Sequence, residues 1–264
     1  MTRWAARIEY IGTAYAGWQR LSHNISVQQK LEEALSIVAD HPVQVMAAGR
    51  TDAGVHGLGQ VVHFDTIAAR NVLAWTLGAN VHLPPDISLR WAQPVSLDFH
   101  ARHQALSRRY RYVFHNTRAR SAMSASMATF WHRALDADAM HIAAQFLLGE
   151  QDFSALRDAE CQSPTPMRNV QAIAVWRCGE FVVIDISANA FLHHMVRNIA
   201  GTLAEVGQGK RPIGWVAEVL ASRDRRNAGI TAPPNGLYFV GPEYPAHYGL
   251  PAPPEPWFPA TMVR

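Results

Sequence analysis

Two apolar runs joined by a glycine-bracketed polar loop set the strongest constraint on this chain. Val43 to Ala48 leads into Gly49-Arg50-Thr51-Asp52-Ala53-Gly54-Val55-His56, and a second run begins at Val61. Apolar runs flanked by glycine predict two strands joined by a loop. Glycine allows positive φ and close backbone approach, so such a loop can aim one side chain at a ligand. Asp52 is the only acid between Asp40 and Asp65, and Arg50 lies two residues before it. An arginine within ion-pair distance holds an aspartate ionised, as a base or a nucleophile. The same residues also suit a plain turn with an Asx-type hydrogen bond.

Other elements follow in order. Arg7 to Tyr10 alternates as a half-buried strand. Gly12 to Gln19 is a glycine-bracketed loop with Tyr15 and Trp18, which suit either base stacking or the core. Ser26 starts a helix with Val27, Leu31, Ala34, Leu35 and Val38 on one stripe. Gln60 to Phe64 reads as a strand, Asn71 to Ala79 as a helix and Ile87 to Trp91 as a strand. His56 and His63 read as polar loop or sheet residues, since a metal site needs about three convergent ligands.

In Ser107 to Phe114, strand alternation puts Tyr110, Tyr112 and Phe114 on one face and Arg109, Arg111 and Val113 on a solvated basic face. Asp136 caps a helix that ends near Gly149. Val170 to Trp176 and Phe181 to Ile186 form a hairpin through Gly179. From Asn189 to Asn198, helical spacing groups Met195, Ile199, Leu203 and Val206. Arg197 falls beside His193 and Gly201, and the glycine leaves room close to the arginine. His193 and His194, as neighbours on a helix, would diverge rather than chelate one ion. Pro212 opens another helix, Ala232 to Val240 ends in a strand, and a proline-rich tail follows Gly241.

Interleaved strands and helices predict a mixed α/β (α+β) layer structure. With 48% hydrophobic and 17% charged residues, the chain suits a globular protein with a sizeable core. No apolar run approaches the ~20 residues of a membrane span, and the first residues lack a signal-peptide core. Two cysteines, Cys161 and Cys178, indicate no disulfide framework and point to the cytoplasm. A net charge of +3 says little about partners, but its distribution says more. Phe99 to Arg133 holds seven arginines and no acid, a pattern that favours nucleic acid.

Several segments resemble the TruA family of tRNA pseudouridine synthases, in family order from about Ile8 to Tyr244. They are Gly12-Thr13 with Gly17-Trp18-Gln19, Gly49 to His56, Phe99 to Arg102, Arg109-Tyr110, Phe191 to Asn198, and Gly236-Leu237-Tyr238. Ile11 stands where the family has an aspartate. The resemblance implies the pseudouridine synthase fold, with two similar mixed-sheet halves and flanking helices around a central cleft. Here the halves are residues 1–105 and 106–264. It implies isomerisation of uridine to pseudouridine in the tRNA anticodon arm, at positions 38, 39 and 40, with no metal and no cofactor. Asp52 is then the catalytic carboxylate, supported by Arg50, Tyr110, Arg197 as its partner, and Leu237 lining the pocket. Arg102, Arg108, Arg109, Arg111 and Arg168 are the candidate RNA contacts. The family is homodimeric. The alternatives are a catalytically silent RNA-binding protein and a hydrolase using Asp52 with a histidine or a metal.

Overall fold

The computed structural model describes residues 1–256. The strands are β1 (Thr2–Tyr10), β2 (Met46–Ala47), β3 (His56–Thr66), β4 (Ile87–Val95), β5 (Ser107–Asn116), β6 (Thr129–Trp131), β7 (Gly149–Asp152), β8 (Met167–Cys178), β9 (Phe181–Ala188) and β10 (Leu237–Glu243). The α-helices are α1 (Val27–Ala39), α2 (Ala79–His82), α3 (Ala137–Ala144), α4 (Met195–Gly207) and α5 (Trp215–Ser222). A π-helical turn, Ala74–Gly78, runs directly into α2. Two compact units result. One is Met1–Leu106 with Tyr238–Pro254; the other is Ser107–Leu237 with Glu255 and Pro256. The last eight residues of the proline-rich tail lie outside the described residues.

In the first unit β1 lies between β4 and β3, antiparallel to both. The far edge of β3 is shared. Its later residues pair with β2, and His56 and Gly57 pair in parallel with Tyr238 and Phe239 of β10. Ser26 caps α1 by accepting the Gln29 amide, and Val27, Leu31, Ala34 and Leu35 are buried in one core with Trp4, Ile8, Trp18, Phe64 and Trp75. The expected strand over Val43 to Ala48 shrinks to Met46–Ala47. Val43 and Val45 are buried, but their amides go to α1 side chains, the Ser36 hydroxyl at 2.9 Å and the Glu32 carboxylate at 3.1 Å. Backbone satisfied by side chains has no need of a ladder partner.

His63 on β3 is 8% exposed and accepts the Ala101 amide at Nδ1. Burial, with Arg3 and His100 nearby, pulls its pKa from the usual 6.5 down to about 4. Between those two values the unfolded chain binds a proton that the folded chain does not, so stability falls as pH falls through that window. A lower urea midpoint at pH 5 than at pH 7 is expected, and His63→Gln should flatten the difference.

In the second unit the sheet runs β5-β9-β8-β7, antiparallel throughout, with β6 parallel to β5. The β8–β9 hairpin turns at Gly179, whose φ is +57°. Asp136 caps α3 through the Ala139 amide. Helix α3 packs on β8, α4 on β5, and α3 and α5 on α4. The basic face expected on β5 is not solvated: Arg111, Val113 and His115 are buried, as are Tyr112 and Phe114 on the other face.

Candidate active site

Asp52 sits half-buried on the loop between β2 and β3, and the residues around it are clamped from several directions. Gln60 donates to the Gly49 carbonyl at 2.6 Å. The Thr51 hydroxyl lies 2.8 Å from the Tyr10 hydroxyl, and the Thr51 carbonyl accepts the Trp18 amide at 3.0 Å. The Asp52 carbonyl accepts the Val55 amide at 3.2 Å, and the Gly54 amide reaches the Tyr15 carbonyl at 3.4 Å. Burial holds the Tyr10 phenol well above its usual pKa, so it remains a neutral hydrogen-bonding post. His56, 2% exposed, accepts the Gly12 amide at Nδ1, and its ring stacks on Tyr238. It therefore anchors the loop's exit.

The segment from Gly12 to Trp18 thus brackets the aspartate loop. Tyr15 and Trp18 are core residues rather than exposed stacking platforms, at 7% and 1% exposure. Gly17 has φ of +102°, and a Cβ there would lie 2.6 Å from the Thr51 carbonyl oxygen. At Gly12 a Cβ would lie 1.9 Å from the Val55 carbonyl oxygen. Backbone on both sides leaves nothing flexible to move. Gly12→Ala is expected to cost about 1–3 kcal/mol, as overpacking does, and to displace the loop. A displacement near 1 Å lowers turnover by roughly 10²-fold; thermal melts and single-turnover rates check the two effects separately.

Arg50 is exposed and forms no ion pair with Asp52 among the described residues. Its side chain is exposed, where it can meet a polyanion. Ile11 is 44% exposed, and its amide donates to the Asp86 carbonyl.

The other candidates lie in the second unit. Tyr110, half-buried on β5, meets the Phe191 ring edge-on with centroids 4.9 Å apart. Arg197 lies in the first turn of α4. Its Nε donates to the Ala232 carbonyl at 2.7 Å, and its own carbonyl accepts the Ala232 amide at 3.1 Å. This double link fixes the guanidinium stem. The room expected beside Gly201 is filled by backbone, since a Cβ there would lie 1.8 Å from the Ile230 carbonyl oxygen. Leu237 is 5% exposed and follows a turn that Tyr112 holds by donating to the Pro233 carbonyl.

His193 and His194 precede α4 rather than riding on it. His194 is the N-cap, with φ of +59°. The two rings stack 3.9 Å apart, and both meet the Asp158 carboxylate, at 3.4 and 2.8 Å. The left-handed backbone at His194 removes the helical divergence that the sequence predicts.

The candidate RNA-binding arginines divide into two groups. Arg102 is exposed, and Arg108 is half-buried and donates to the Asn189 carbonyl. Arg109 and Arg111 converge on Asp185. Arg109 grips both carboxylate oxygens at 2.7 and 3.1 Å, and Arg111 donates twice to one of them. Arg111 is 1% exposed and lies over Trp176. Arg168, 8% exposed, serves the Thr165 carbonyl and the Ser163 hydroxyl. Arg111 and Arg168 are thus buried and bonded within the second unit.

Comparison with known proteins shows the family. The family described as tRNA pseudouridine synthase matches residues 6–104 and 143–245. The tRNA pseudouridine synthase A of Aeromonas hydrophila is 57% identical over 249 residues, covering 94% of this chain and 93% of that protein. The protein of the same name from Klebsiella pneumoniae is 58% identical over 247 residues, covering 94% and 92%.

Proposed function

The chain belongs to the TruA family of tRNA pseudouridine synthases, and we propose that its isomerisation of tRNA uridine is centred on Asp52. The observation that carries this reading is the loop itself. Its backbone is fixed by Tyr15, Trp18 and Gln60, and its Thr51 side chain by Tyr10, while its one carboxylate stays half-exposed. A preorganised group of that kind needs no rearrangement at the moment of reaction.

The isomerisation breaks N1–C1′, turns the uracil, and joins C5 to C1′. The C5 hydrogen leaves as a proton, and N1 gains one from solvent. Asp52 serves as nucleophile or base in this sequence, and Tyr110, Arg197 and Leu237 serve the same reaction, as the family resemblance implies. The substrate site is the anticodon arm, at positions 38, 39 and 40. A base stacked in that arm must leave the stack to react, which costs a few kcal/mol. Phosphate contacts offset the cost, and the exposed Arg50 and Arg102 suit that task. The enzyme works as a homodimer in the cytoplasm. No helix among the described residues is long and apolar enough to cross a membrane.

The positional reading has a direct test. Transcripts carrying C5-tritiated uridine are made with cytidine at position 38, 39 or 40, singly and together. Tritium release should drop with each replacement and vanish with all three. Release that persists from the triple replacement overturns the positions while leaving the reaction.

A further inference from the structure

Glu32 is a carboxylate for which the reaction has no use, yet it is 5% exposed in the middle of α1. Burying an ion costs several kcal/mol even after relaxation, and an apolar residue of similar volume would fill the space at no such cost. Glu32 instead collects three donors. It accepts the Val45 amide at 3.1 Å, the Gln28 side-chain amide at 2.9 Å and Arg20 Nη1 at 3.0 Å. The Arg20 backbone is held as well, its amide donating to the Gln28 side-chain carbonyl at 3.1 Å. The Arg20 side chain is 56% exposed. A buried anion on the helix thus tethers a guanidinium whose outer part faces water.

The place of that guanidinium is informative. Arg20 is two residues beyond Trp18, whose amide binds the Thr51 carbonyl next to Asp52. Two residues of chain span at most about 7 Å. From Tyr10 to Leu31 there is no acid at all, and residues 20–25 are all exposed. The bond to Glu32 uses one edge of the guanidinium. An arginine offers five N–H donors in a planar fork suited to phosphate.

We propose that Arg20, positioned by the buried carboxylate of Glu32, is a phosphate-binding residue for the RNA strand that enters the Asp52 loop. This rests on the tRNA reading above. A surface arginine ordinarily loses side-chain entropy on meeting a phosphate; the tether to Glu32 removes much of that cost before RNA arrives.

The test is tRNA binding by filter retention at several salt concentrations, beside single-turnover tritium release at saturating enzyme. Arg20→Ala should weaken binding on the order of tenfold at low salt and lower the magnitude of the log–log salt slope by about 1. Its saturated turnover should stay near wild type. Arg20→Lys should keep the slope, because it keeps the charge. Glu32→Gln should weaken binding less, and adding it to Arg20→Ala should cost nothing more, since the two act as one unit. An unchanged slope and affinity in Arg20→Ala overturns the proposal, and that variant's site is exposed enough to keep the fold. Absence of tritium release by the wild type would instead sink the tRNA reading on which the proposal stands.

Discussion

Asp52→Asn is expected to leave tRNA binding and the fold intact while lowering turnover by about 10⁴-fold, the upper end of what one positioned acid–base group contributes. The substitution is isosteric. The loop's backbone bonds, from the Asp52 carbonyl to the Val55 amide and from the Thr51 carbonyl to the Trp18 amide, do not involve the carboxylate. Nor does the link between Tyr10 and the Thr51 hydroxyl. Asparagine therefore inherits the same posture without the charge. An amide can neither attack carbon at this site nor accept a proton as a base does. A silent RNA-binding protein would show no such split between binding and turnover. A hydrolase dependent on a histidine would show a pH profile near ~6.5, which this reading does not need.

Asp185→Asn is expected to give the largest loss of stability, about 3–5 kcal/mol, the range for breaking a buried ion pair. Asp185 has a side chain 12% exposed and holds Arg111, at 1%, and Arg109, at 28%. Losing the anion takes two charge-assisted bonds from the buried Arg111 guanidinium, at the register pair of Arg111 with Asp185. Urea unfolding measures the effect. Replacing Arg111 by Met together with Asp185 by Leu should recover most of the loss, because a well-packed apolar pair of similar volume restores such sites. Failure of the double variant to recover would mean that Arg109 carries more of the interaction than its exposure indicates.

These arginines show where sequence reading runs short. The stretch from Phe99 to Arg133 contains no acid, so its charge looks committed to an outside partner. The acid that neutralises Arg109 and Arg111 comes from β9, more than seventy residues on, through strand register. Nothing local announces that pairing. The same holds for Val43 and Val45, whose amides are taken by Ser36 and Glu32. A propensity pattern reads the side chains of a strand and not the destinations of its amides. His193 and His194 mislead for a related reason: one positive φ at His194 turns a helical spacing into a stacked pair.

What was legible is what is encoded locally. Ser26 and Asp136 cap the helices that they precede. Gly179 turns its hairpin, and the β8 and β9 alternation follows from it. The Asp52 loop is legible because glycines and apolar runs bound it on both sides. Its clamp by Tyr10 and Trp18 is less so. Aromatics in a glycine-bracketed loop fit either a ligand or the core, and only the close approach of Gly12 and Gly17 to the loop backbone decides for the core.

The most direct measurement is tritium release from folded tRNA transcripts labelled at C5 of uridine, with wild type beside Asp52→Ala and tRNA binding measured for both. Isomerisation leaves the mass unchanged but must expel the C5 hydrogen. Release by the wild type, none by the variant, and equal binding by both is the expected result. Release by both proteins would contradict Asp52 as the reacting group.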